Sequence, residues 1–177
     1  MNRQLFPIYL ILGYIGFRLL MSVFYPIFVV IHELGHAVPA RLAGRKQVRI
    51  VMGTSPALLH FSLFGITFDL GSKQLQRGYT TYAKPQSESA TALCFIFGMA
   101  PLVSLIFVIT GICLWRAYVF DTLGYFILGA AWLTNVHIVF SSLWPFELAT
   151  ETDGQESPVG GPFTSDLLNL IRALRKK

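Results

Sequence analysis

At 177 residues the chain has the length of one ordinary domain, yet 54% of it is hydrophobic and only 13% is charged, where a soluble domain carries about 25% charged residues. The apolar residues fall into three long blocks: residues 5–31 hold one charge, Arg18, residues 90–115 hold none, and residues 118–146 hold only Asp121. Each block meets the roughly 20 residues a helix needs to cross hydrocarbon, which excludes a soluble globular domain. The net charge of +5 does not indicate a nucleic-acid binder, because the cations follow the block boundaries. Arg41, Arg45, Lys46, Arg49, Lys73, Arg77 and Lys84 lie between the first two blocks, and Arg172, Arg175, Lys176 and Lys177 follow the third. Arg116 alone lies between the second and third. By the positive-inside rule, segment 41–88 and the C-terminal tail are then cytoplasmic and 116–121 is external, with the basic residues set against anionic lipid.

The chain opens Met-Asn-Arg-Gln-Leu and runs directly into apolar sequence with no small-residue cleavage site, the pattern of a retained anchor and not of a removable signal peptide. Residues 5–43 read as helix. As one helix they would be roughly 60 Å long, more than an untilted span requires, and Pro26 should kink or break it near Ser22. One long kinked helix with an external N-terminus, and two spans joined near 22–26 with a cytoplasmic one, both remain open. Residues 47–70 show period-two alternation around Val48, Ile50 and Met52, and again from Leu59 to Asp69, with a turn signal at Gly53–Pro56 between. This predicts a small cytoplasmic β-hairpin, followed by a polar loop over 71–88.

Blocks two and three predict two further spanning helices. Cys94 and Cys113 fall inside block two and read as buried packing residues, too far apart along one helix to pair. Residues 147–163 contain Gly154, Pro158, Gly160, Gly161 and Pro162 and read as loop. Residues 164–177 predict a basic amphipathic helix on the cytoplasmic membrane face, capped by Thr164 or Ser165, with Leu167, Leu168, Ile171 and Leu174 on one side. The expected architecture is an all-α polytopic membrane protein of three core spans, four at most, plus the hairpin. Its membrane core is 1–146, followed by the 147–163 loop and the 164–177 tail.

One motif carries chemistry. His32-Glu33-Leu34-Gly35-His36 matches H-E-x-x-H: residues four apart share a helix face, so both imidazoles can reach one ion while Glu33 can accept a proton from water held there. Two imidazoles and an oxygen ligand suit Zn²⁺. Such polar residues directly after an apolar run are costly at membrane depth unless paired or ligating. In block three, Asn135 and His137 have two readings, hydrogen bonding between helices or, for Asn135, holding substrate or the oxyanion. Arg18 reads as snorkelling toward the interface and His60 as a surface residue.

With these residues in place the chain resembles the site-2 proteases, intramembrane zinc metalloproteases. His32–His36 on an apolar helix is followed by Ala40-Arg-Leu-Ala-Gly44 and strand-like sequence, and Phe97-Gly-Met-Ala-Pro-Leu-Val-Ser-Leu105 is similar to the family's Gly-Pro-Leu segment. Ser142-Leu-Trp-Pro145 with Asp153-Gly154 is similar to its Asn-x-x-Pro…Asp-Gly motif, although Ser142 replaces the asparagine and the gap to Asp153 is long. The resemblance implies zinc held by His32, His36 and Asp153, with Glu33 as general base, and substrates that are membrane segments of other proteins. Asp166, at the start of the tail helix, is the rival third ligand, ahead of Glu147, Glu151 and His137. A catalytically inactive protein of the same fold, binding zinc or a client helix, is the alternative function. A metal-ion transporter would need polar residues spread over several spans, and only Asn135 and His137 qualify.

Overall fold

A computed structural model describes residues 6–83, 89–144, 147–148 and 163–175. Three of its helices are long and apolar enough to cross a membrane: Pro7–Leu42, Ala90–Ala117 and Thr122–Leu143. The first belongs to α1 (Phe6–Leu42), which stays helical through both Pro26 and Pro39. At about 1.5 Å per residue it is some 55 Å long. Of the two readings of this segment, the single long helix is the one observed. Proline is tolerated inside spanning helices because neighbouring groups take up the backbone acceptor it frees.

The β element is larger than expected and turns elsewhere. β1 (Arg49–Leu63) and β2 (Ile66–Thr81) are joined at Phe64-Gly65, where both residues have positive φ (51° and 76°), the backbone a tight hairpin turn demands. Gly53–Pro56, expected to be the turn, lies inside β1 at register irregularities. Across this two-residue turn Leu63 pairs with Ile66 and Phe61 with Phe68, so the apolar positions of one face pass from odd to even numbers at Phe64-Gly65. Most of the expected 71–88 loop is likewise strand, since β2 continues to Thr81. The added length folds the ribbon back: Ile50 is paired both with Phe68 and with Thr80. Partners on the Thr80 side run antiparallel, whereas those from Thr67 to Leu70 ascend in step with Arg49 to Met52. Arg49–Met52 is thus the inner strand, and its buried Ile50 and Met52 anchor the sheet on α1 through Val29, Ala37 and Ala40.

α2 (Ala90–Ala117) and α3 (Thr122–Leu143) pack against α1 and each other. Asp121 opens α3 by accepting from Gly124 N at 2.7 Å. α1 and α2 come very close at Gly35, where an added Cβ would lie 2.5 Å from the Ala100 Cα; a larger residue would push α1 off α2. Trp132 Nε1 donates to Val108 O at 3.1 Å across α2 and α3, and Tyr25 meets His137 Nδ1 at 2.7 Å across α1 and α3. His137 therefore makes the interhelical hydrogen bond expected of it. The cysteines are not core residues as expected: Cys94 is partly buried and Cys113 exposed.

β3 (Glu147–Leu148) pairs with β4 (Phe163–Thr164), bringing together the two ends of the expected 147–163 loop. The tail helix α4 (Asp166–Arg175) starts as anticipated: Ser165 Oγ accepts from Leu168 N at 3.4 Å and Ser165 O from Asn169 N at 3.1 Å. It packs on α2 and α3, burying Ala173. That docking carries its first residue, Asp166, to α1.

Candidate metal site

His32 and His36 stand one turn apart on α1, both buried at 7% exposure, with rings 5.3 Å apart. Each imidazole is oriented by α2 through Nδ1: His32 Nδ1 lies 2.9 Å from Ser104 Oγ, and His36 Nδ1 lies 2.8 Å from Ile96 O. The tight Gly35–Ala100 contact makes this reach possible. Ser104 belongs to the Phe97–Leu105 segment singled out in the sequence, but its place beside His32 had no sequence signal.

On the opposite side of both rings is Asp166. His32 Nε2 is 3.1 Å from its Oδ2 and His36 Nε2 is 3.0 Å from its Oδ1. Ligand atoms from His32, His36 and Asp166 all lie within 4.8 Å of one another. Among the candidate aspartates it is Asp166 that the structure brings to the histidines. Asp153 and Glu151 lie outside the described residues, Glu147 is in β3, and His137 is engaged with Tyr25. Burial opposes a charge on Asp166, but His36 beside it and the hydrogen bonds from both imidazoles hold its carboxyl well below the ordinary carboxylate range.

The donor set fits a zinc ion. A carbonyl can only accept, so His36 Nδ1 must carry the proton it shares with Ile96 O. In the neutral ring, Nε2 then presents a lone pair to a carboxylate oxygen 3.0 Å away. Two acceptors at that distance require a cation, either a proton on Nε2 or a metal ion between them. Two imidazoles, that of His36 with its tautomer set by Ile96 O, and one ionised carboxylate make the N,N,O set that catalytic zinc takes, leaving a fourth position open.

Glu33 lies beside this cluster and is 6% exposed. It is met from the sheet by Thr80, whose Oγ1 is 2.8 Å from Glu33 Oε2 and 3.1 Å from Glu33 O. Sequence reasoning missed Thr80 altogether, because it falls in the stretch read as polar loop. Asn135 is buried on α3 and donates through Nδ2 to Ala131 O at 3.1 Å, within its own helix. Ser142 is buried and donates to Val139 O at 3.0 Å.

The supporting hydrogen bond at His32 can be tested alone. Ser104→Ala should weaken zinc binding by roughly 10- to 100-fold, the usual effect of removing the partner of a ligating histidine. Chelator competition on purified protein reads this directly, and unchanged affinity would show that Ser104 does not orient His32.

A histidine pair on a helix long and apolar enough to cross a membrane, a docked aspartate and an adjacent buried glutamate form a candidate metal site. The chain belongs to peptidase family M50, the site-2 protease family, which it matches over residues 20–171. No curated protein matches it.

Proposed function

We propose that this protein is an intramembrane zinc endopeptidase that hydrolyses peptide bonds in or near transmembrane segments of other proteins. The observation that carries the proposal is the convergence of His32, His36 and Asp166 within 4.8 Å beside the buried Glu33. His32 and His36, through Nε2, and Asp166, through its carboxylate, would hold the ion. When bound, zinc supplies a Lewis acid that brings the pKa of water to roughly 7 and polarises a carbonyl. Glu33 takes the proton from the attacking water and returns it to the leaving amine. Asn135 is proposed as an amide that holds substrate or the oxyanion.

The substrate must present an extended peptide at the site. The sheet could receive it as an added strand, since β2 runs past Glu33 at Gly78–Thr81. The distribution of basic residues supports an active site toward the cytoplasmic face and a cytoplasmic C-terminus, and with α1 a single helix the N-terminus is external. On this reading the catalytic unit includes α4 and does not end at residue 146. The partners are the bilayer and membrane-protein substrates, and the basic residues are assigned to lipid and topology, not to nucleic acid.

The test is reconstitution of the purified chain in liposomes with a transmembrane peptide. The expected result is about one zinc ion per chain and cleavage that a chelator stops and added zinc restores. Bound zinc without cleavage of any such peptide would favour the alternative, a non-catalytic protein of the same fold that binds zinc or a client helix.

A further inference from the structure

Glu33 is held from outside its own helix. Gly78 lets β2 lie directly on α1: a Cβ there would fall 2.7 Å from Val29 Cγ1, 2.8 Å from Met52 Sδ and 3.1 Å from Glu33 Cγ. Two residues on, Thr80 is paired with Ile50, which is completely buried, so its backbone is anchored by the sheet core. Its β-branched side chain has few χ1 choices. The hydroxyl has one proton and two acceptors in reach, Glu33 Oε2 at 2.8 Å and Glu33 O at 3.1 Å. A bond to an ionised carboxylate is the stronger, and a buried carboxylate left without it would lose that stabilisation.

We propose that Thr80 is a positioning residue for Glu33, its hydroxyl fixing the carboxylate in the orientation from which the proton is exchanged. The proposal rests on the reading of Glu33 as general base. It gives the sheet a part in the chemistry: the last segment of β2, through one hydroxyl, sets the geometry of a group on the membrane helix. The contribution is to orientation, so it is felt in turnover and not in metal or substrate binding.

The experiment compares Thr80→Val, Thr80→Ser and Glu33→Gln in liposome-reconstituted, zinc-loaded protein. Valine keeps the shape and removes the hydroxyl, while serine keeps the hydroxyl and removes the methyl. T80V should lower kcat by roughly 10- to 100-fold, the equivalent of one hydrogen bond to a charged group, with KM and zinc content unchanged. T80S should restore most of that loss. Infrared difference spectra against E33Q isolate the Glu33 carboxylate band, which should shift in T80V and not in T80S.

Wild-type kcat and an unshifted band in T80V would overturn the proposal alone. T80S as slow as T80V would overturn it too, assigning Thr80 to packing through its methyl. Undiminished cleavage by E33Q would instead remove Glu33 as the base, and the positioning role with it.

Discussion

Glu33→Gln is expected to keep its zinc and lose cleavage by at least the roughly 10²- to 10⁴-fold that a positioned acid–base group contributes. The substitution is nearly isosteric. The amide oxygen of glutamine can still accept from the Thr80 hydroxyl, 2.8 Å from Oε2 in the native chain, so the α1–β2 contact should survive. Neither imidazole depends on Glu33: their Nδ1 atoms are held by Ser104 Oγ and Ile96 O and their Nε2 atoms face Asp166. The loss should therefore fall on turnover alone. Metal analysis and peptide cleavage on the same preparation make the check, and a variant that cuts as fast as wild type would refute the assignment of Glu33.

Asp166→Ala is expected to have the largest effect on metal. It removes the single anionic donor of the described cluster and leaves two neutral imidazoles. Zinc affinity should drop by more than the roughly 100-fold that the loss of a supporting hydrogen bond produces, and cleavage should go with it. Asp153→Ala is the internal control and should retain both. The opposite pattern, zinc lost in D153A and kept in D166A, would return the third ligand to the Asp-Gly motif. The held-down pKa of Asp166 also fixes a sign. Its favourable contribution to the fold is present above the ordinary carboxylate pKa of about 3.9 and is lost as pH falls through its lower folded value.

Much of this was legible because the relevant signals are periodic or compositional. Three apolar blocks announce three helices long and apolar enough to cross a membrane, and the i, i+4 spacing of His32 and His36 places both imidazoles on one face before any tertiary contact is known. The sheet was half legible. Alternation marks Val48–Met52 and Leu59–Asp69 as strand, but its change of phase at Phe64-Gly65 is carried by an apolar residue and gives no polar break to mark the bend. The polar stretch from Gly71 to Arg77 alternates nothing, because much of it is exposed, and reads as loop although it is strand.

The place of Asp166 beside the histidines lay beyond such signals. No period relates α1 to α4, and the Asp153-Gly154 resemblance competed with a helix start at Asp166 that local capping rules identify only as a helix start. The docking of α4 on α2 and α3 is what makes Asp166 a candidate. Thr80 and Ser104 are invisible for the same reason: each acts across a tertiary contact through a side chain common enough to carry no signal. Gly35 was visible as a letter of the motif, but its closeness to Ala100 emerges only when the helices are packed.

The separation of the cluster along the chain gives the ion a second effect. Asp166 comes 134 positions after His32, so a cation bound by both would close a loop spanning most of the protein, much as a cross-link would. Metal affinity and the docking of α4 are then thermodynamically linked, each raising the other by the same factor. Stripping the ion should loosen the C-terminal end, and anything that pulls that end away should discharge the ion. If Asp166 holds the ion as proposed, the ten-residue helix α4 is in that sense a removable part of the active site.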